Sequence, residues 1–392
     1  MGFPSRQHDH ARHCLEPDRE HDPRKAPPRL QECGQRHRIS NRLIAAALAL
    51  AGSSVAAGDL RVATYNTELQ RKGPGLLLRD ILRGEDDQVA ATLRVIAEVD
   101  ADILVLQGFD YDLTGAALSA YVKALAEAGA HYPHQFAGRP NTGMATGLDM
   151  DGNGKLGEPR DAQGYGQFSG QGGMAILSRY PIMTGEVQDF SSLLWRDVPD
   201  ALLPITDNGP FPSEEVQAIQ RLSTTAHWVV PVDVPDTGRV SLMTFHASPP
   251  VFDGPEDRNG RRNHDEIMFW QHYLAGAFGP APGEAFILLG DFNQDRRGGE
   301  GLKAAIATIL DDPRLQDPRP ASRGSEIVSG DALDTVDWDD PVPGNLRVDY
   351  VLPSVDWRVT GAGVVWPDPA TPMGLVAAQA SRHRLVWVDL AR

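Results

Sequence analysis

Two rhythms of apolar residues run through the chain after residue 58. The stretch 60–66, Leu-Arg-Val-Ala-Thr-Tyr-Asn, alternates and is rich in β-formers, which predicts a strand ending in Asn66. Short apolar runs at 102–106, 174–177 and 286–289 predict buried strands. Segments 226–234 and 239–245 predict a strand pair joined near Asp236-Thr237-Gly238, and 346–352 and 385–390 give the last strands. The second rhythm has helical spacing. It places Val89, Leu93 and Ile96 after a cap at Asp86 or Asp87, and Leu118, Tyr121, Val122 and Leu125 ahead of Gly129. Ile267, Trp270 and Leu274 form a third stripe, and Leu302, Ile306 and Ile309 a fourth. Strands and helices mix without strict βαβ alternation, repeat or linker. One α/β domain over 58–392 is expected.

Upstream the pattern changes. Residues 1–37 are rich in Arg, His, Asp and Pro and carry no apolar period, which reads as disorder or a start codon called too early. Arg38 and Arg42 then precede an apolar run at 43–50, and Val55-Ala56-Ala57 offers small residues to a signal peptidase. Residues 38–57 therefore read as a secretory signal peptide, too short in its apolar part to span a bilayer. A periplasmic or secreted monomer with no transmembrane segment in the mature chain is expected. Both cysteines, Cys14 and Cys33, lie before the cut, so the exported chain would have no disulfide and no thiolate chemistry. The whole chain carries −16; residues 1–57 hold 9 Lys/Arg and 6 Asp/Glu, so the remainder holds 28 against 47 and carries −19. Such a surface repels polyanions and disfavours nucleic acid as a partner, while leaving room for a local basic cleft.

Chemistry-bearing residues collect just after the predicted strands. Asn66 ends the first. Asp110 and Asp112 follow Gln107-Gly108, and His246 follows 242–245. Asp291 and Asn293 follow the run 286–289 and its breaker Gly290, Asp349 lies in Arg-Val-Asp-Tyr at 347–350, and His383 precedes the last strand. Strand ends along one edge of packed sheets are where sites form. Asp291 and Asn293 are two apart and share a face of an extended chain. A carboxylate beside an amide orients a water and holds a phosphate oxygen.

In this order the set resembles the endonuclease/exonuclease/phosphatase superfamily over essentially all of 60–390. The marks are the tetrad Gly290-Asp291-Phe292-Asn293, Asn66, the stretch 102–107, the segment 173–182, His246, Asp349 and His383. The resemblance implies a four-layer α/β sandwich, two mixed β-sheets face to face with helices outside. It also implies a divalent-metal-dependent phosphoesterase with catalytic His246, Asp291, Asn293, Asp349 and His383. Asp291 would orient the attacking water. Asn293 and His246 would hold phosphate oxygens, and His383, held by Asp349, would move a proton. A metal, Mg²⁺ or Mn²⁺, would polarise the phosphoryl oxygen. Elementary chemistry agrees: hard cations with oxygen ligands suit phosphate, and a carboxylate behind an imidazole fixes its tautomer.

Two positions depart from the family pattern. A metal-binding Glu after the Leu-Gln pair is Gly108 here, and an Asp before the terminal His is Arg382. Asn66 brings only a neutral carbonyl to a metal, and it also stands among the expected substrate-binding residues. Asp110 is the expected second ligand, provided a bulge at Gly108-Phe109 closes a gap of roughly 6–7 Å. Asp112 and then Glu68 rank behind it. Arg382 would lend a fixed positive charge to phosphate. Two loops add to this. Asp149, Asp151 and Asn153 repeat the first half of a calcium loop, with Arg160 where a bidentate Glu is expected, so 149–155 is an Asp/Gly turn or a Ca²⁺ site. The stretch 249–264 is a solvated charged loop, or a substrate loop whose Arg258 and Arg262 fork onto a phosphate.

Three functions remain in view: an exported phosphoesterase acting on mono- or diesters, an extracellular nuclease, and a non-catalytic phosphate-binding protein with a weakened metal site. The loss of two acids favours the last. Retention of the other six site residues favours catalysis.

Overall fold

The computed structural model describes residues 59–283 and 285–392. The segment 1–37, the signal-peptide reading at 38–57 and both cysteines lie outside the described residues. In chain order the strands are β1 (Leu60–Leu69), β2 (Ile103–Phe109), β3 (His134–Phe136), β4 (Gly173–Ser178), β5 (Gln188–Asp189), β6 (Ile205–Thr206), β7 (Gly209–Pro210), β8 (His227–Val234), β9 (Gly238–His246), β10 (Phe286–Asp291), β11 (Asp349–Pro353), β12 (Arg358–Val364) and β13 (Val386–Ala391). The helices are α1 (Leu76–Arg83), α2 (Asp87–Val99), α3 (Ala116–Glu127), α4 (Glu214–Ile219), α5 (Arg258–Leu274), α6 (Lys303–Leu310), α7 (Arg323–Val328) and α8 (Pro372–Ala380).

Period-two alternation sorts the side chains into layers. Val62, Ile103 and Val105 point inward to meet Leu242, Ile287 and Leu289 in one central core. Their neighbours Ala63, Leu104 and Leu106 point the other way, onto Val95 of α2 and Leu125 of α3. On the second sheet Met243, Phe245 and Leu288 pack on Phe269 and Trp270 of α5 and Ile306 of α6. The result is helix, sheet, sheet, helix, as the resemblance implies. Burying both faces takes apolar surface from water at about 25 cal/mol per Å².

One sheet runs β12-β13-β1-β2-β4-β3 and the other β11-β10-β9-β8-β5, with β6-β7 as a separate ribbon. Both are mixed. β1 pairs parallel with β2 and antiparallel with β13, and β10 pairs parallel with β9 and antiparallel with β11. The second register decides the site: Asp291 lies opposite His246 on one side and Asp349 on the other. Three strand ends thus present their side chains in a row on one face.

Several segments differ from the sequence reading: β1 runs past Asn66 to Leu69, and β3, β12, α1 and α8 fall where the pattern gave no element. The strand expected over 346–352 begins later, with β11 starting at Asp349. The stretch 249–264 is not all loop, because α5 starts at Arg258, and Arg262, Asn263, Asp265 and Glu266 are buried on it rather than solvated. The stripe Ile267, Trp270 and Leu274 marks the second half of this helix, and polar side chains hid its first half, where Arg262 and Asn263 bind backbone rather than apolar surface.

Candidate active site

Gly290 sets the geometry at the end of β10. Its φ is +148°, and a Cβ there would lie 2.2 Å from the Phe245 carbonyl oxygen, so only glycine fits beside β9. Asp291 follows, fully buried, with Oδ1 accepting from the Asn293 N–H (2.8 Å) and Oδ2 from Asn66 Nδ2 (2.9 Å). Asn293 Nδ2 donates to the Ala247 carbonyl at 2.9 Å, tying the tetrad to the segment after His246. His246 Nε2 lies 3.3 Å from Asp291 Oδ2. Burial pushes the His246 pKa down, and the Asp291 charge offsets this only in part.

His383 arrives from the other sheet, just before β13. Its Nδ1 lies 3.0 Å from Asp349 Oδ2 and 3.8 Å from Asp291 Oδ2. Burial works to lower its pKa, but Asp349 and Asp291 outweigh burial and raise it to about 9. Burial raises Asp349 to about 6, against the pull of the imidazolium. At neutral pH the pair is therefore an ion pair, with the imidazolium donating from Nδ1 and Nε2 left to serve the cleft. Local sequence gives no sign of the groups that orient it. Thr335 Oγ1 donates to Asp349 Oδ2 (2.9 Å), and the His383 N–H donates to Ser381 Oγ (3.1 Å). Trp338 sets its ring edge-on to the imidazole at 5.6 Å.

Asn66, His246, Asp291, Asn293, Arg382 and His383 share one cleft of about 880 Å³. Its lining is locally basic in an acidic protein, with Arg160, Arg258, Arg262 and Arg382 against Glu68, Asp291 and Asp339. Such focusing draws small anions in.

Other expected residues have different placements. The register shift at Gly108-Phe109 is present, with Gly108 at φ +66°, yet it does not bring Asp110 into this cleft. Asp110 accepts from the Arg71 N–H (2.8 Å) and the Gly172 N–H (2.9 Å), and burial, opposed by those two amides, raises it to about 6. It lines a separate cavity of about 260 Å³. Asp112 accepts from the N–H groups of Ala116 and Ala117 at the start of α3. Arg262 lines the cleft but spends Nε and Nη2 on the carbonyls of Leu222, Gln163, Arg221 and Ser223, as a buried clamp near Glu266. Arg258 donates to the Met150 carbonyl and so ties the cleft wall to the 149–161 loop. Glu266, which the sequence reading passed over, accepts from the N–H groups of Thr224 (2.5 Å) and Ser248 (2.6 Å) and fixes two cleft-lining segments.

Two groups of side chains among the described residues bring three ligand atoms within 4.8 Å of one another: Asp149, Asp151 and Asp161, and Asp291, Asp349 and His383. In the first, Asp161 takes the place expected of Asn153, whose Nδ2 donates instead to Asp151 and Glu158. In the second, the donor chemistry does not fit a divalent ion as hydrogen-bonded. His383 Nδ1 carries a proton toward Asp349, and Asp291 already serves Asn66 and Asn293. Asn66 Oδ1 accepts from the Glu68 N–H (3.2 Å).

No helix among the described residues is long and apolar enough to cross a membrane. No curated protein matches the chain. Among solved structures, an endonuclease/exonuclease/phosphatase from Beutenbergia cavernae is 19% identical with a TM-score of 0.51, covering 85% of this chain and 72% of that one. Sphingomyelinase C from Streptomyces griseocarneus is 17% identical (TM-score 0.45, covering 85% and 99%), and the human Nocturnin catalytic domain 15% (TM-score 0.45, 86% and 94%). A model of the endonuclease/exonuclease/phosphatase family matches residues 63–383, the span that begins just before Asn66 and ends on His383, and the chain belongs to that family.

Proposed function

We propose that the cleft hydrolyses phosphate esters. The observation that carries this is the buried His383–Asp349 ion pair set 3.8 Å from Asp291, in a cleft lined by four arginines. A carboxylate and an imidazolium on one small face supply the base and the acid that ester cleavage needs. Water adds to phosphorus and gives its proton to Asp291. The bond from phosphorus to the leaving oxygen breaks, and that oxygen takes a proton from His383 Nε2. Neutral His246 donates from Nε2 to a phosphoryl oxygen. Asn66 and Asn293 each commit one amide N–H to protein and keep a second for the substrate. The acidic surface supports a small phosphate ester over a nucleic acid.

Turnover of p-nitrophenyl phosphate and bis-p-nitrophenyl phosphate tests this. Turnover by the wild type that is lost in His383→Ala supports the reading, and none in either case removes it. We also propose that the chain is exported and cut after Ala57, which the order of charged, apolar and small residues over 38–57 supports. N-terminal sequencing of the mature protein checks it, and recovery of residues 1–37 on a cytoplasmic protein rules it out.

A further inference from the structure

The two departures from the family pattern, Gly108 and Arg382, meet a third residue. Glu68 sits in a bulge of β1 at φ +49°, a left-handed conformation that non-glycine residues rarely adopt. Its carboxylate accepts from the Arg382 backbone N–H (2.8 Å), from Arg382 Nε (2.9 Å) and from Nη2. Against the pull of burial, Arg382 holds the Glu68 carboxyl below its usual range. Ser381 Oγ also lies 3.2 Å from Glu68 and donates to the Asn66 carbonyl at 2.8 Å, so one hydroxyl fixes the pair beside Asn66. Arg382 Nη1 has no hydrogen-bond partner among the described residues, and the side chain lines the cleft with His246, Asp291 and His383. A Cβ at Gly108 would lie 2.4 Å from Asn66 Oδ1, so position 108 takes no longer side chain while Asn66 keeps its bond to Asp291.

We infer that the Glu68–Arg382 pair stands in for a divalent ion: the guanidinium, aimed by Glu68, is the cation this cleft sets against the phosphate, and the site works without metal. The inference rests on the phosphate-ester reading above. Its electrostatics are direct. The acids that would attract a cation are already engaged, Glu68 with Arg382, Asp349 with His383, and Asp291 with Asn66 and the Asn293 N–H, and a divalent ion would be repelled by both positive partners. A guanidinium holds phosphate oxygens by charge-assisted N–H donation. Unlike a metal it does not acidify a bound water, so activation of the nucleophile falls to Asp291.

Calorimetry tests this with inorganic phosphate titrated in EDTA and Mn²⁺ titrated into metal-free protein. The proteins are the wild type, Arg382→Gln and Arg382→Lys, each checked for folding by its melt. Phosphate should bind the wild type in EDTA. Arg382→Gln should weaken it roughly 10- to 100-fold, with Arg382→Lys between the two, and any Mn²⁺ heat from Asp149, Asp151 and Asp161 should leave the phosphate affinity unchanged. Phosphate binding that requires Mn²⁺, or that is unchanged in Arg382→Gln, overturns the inference. Turnover is read separately. Activity lost in EDTA and restored by Mn²⁺ also overturns it. Metal-free, Arg382-dependent phosphate binding with no turnover under any condition sinks the hydrolysis reading and leaves the cation assignment standing.

Discussion

Asn66 Nδ2 donates to Asp291 Oδ2 at 2.9 Å, and this one hydrogen bond crosses from the β12-to-β3 sheet to the β11-to-β5 sheet, 225 residues apart in sequence. It fixes which lone pairs of Asp291 face the cleft. Asn66→Ala should keep the fold, at a cost of about 1–3 kcal/mol for the lost bond to a charged group. The same change should lower kcat by on the order of 10²-fold, because Asp291 loses its orientation. Melting curves and steady-state kinetics check both, and unchanged turnover would take Asn66 out of the site.

The Asp349–His383 pair predicts a bell-shaped pH profile. Activity needs Asp349 ionised and His383 protonated, so kcat/KM should fall below pH about 6 and above about 9. The His383 value lies above its ordinary one, so its contribution to stability is fully present below pH about 6.5 and is lost as pH rises through about 9. Asp349→Asn removes the first charge that favours the imidazolium. The alkaline limb should then move to lower pH, with turnover down by roughly 10²-fold or more. An alkaline limb that stays in place would assign it to another group.

Arg262 separates clamp from substrate contact. It bonds four carbonyls and lies near buried Glu266, so Arg262→Met should destabilise by about 3–5 kcal/mol, as removal of one partner from a buried charge pair does. Arg262→Met/Glu266→Gln should recover part of that loss. A variant with a normal melt and a raised KM would return Arg262 to the substrate-binding set.

Gly290→Ala should be among the costliest single-methyl changes in the chain. The added Cβ meets the Phe245 carbonyl oxygen at 2.2 Å, which forces β9 and β10 apart at the residue before Asp291. A loss of several kcal/mol is expected where overpacking adds to a φ that alanine avoids, read as a fall in Tm. A melt within a few degrees of wild type would contradict that geometry.

The sequence by itself determined the central strands, their faces and the order of their polar ends. Alternation over 60–66 and the short apolar runs report a period, and period is a property of neighbours. Asn66, His246, Asp291, Asn293 and His383 were legible for that reason: each lies at or near the end of a strand, and packed sheets bring strand ends to common edges. Tertiary structure decided where each lone pair and proton goes. Asp110 has the parity of a cleft residue, yet the amides of Arg71 and Gly172 capture it. Arg262 reads as a solvated charge or a phosphate contact, yet four carbonyls from 39 to 99 residues away bury it. Thr335 and Ser381 carry no local signal because they act on side chains elsewhere. Glu68 and Arg382, 314 residues apart, become one charge pair only when β1 and the approach to β13 lie side by side. Local pattern fixes which face a side chain takes; the partner that satisfies it comes from distant chain, and only the packed fold supplies that distance.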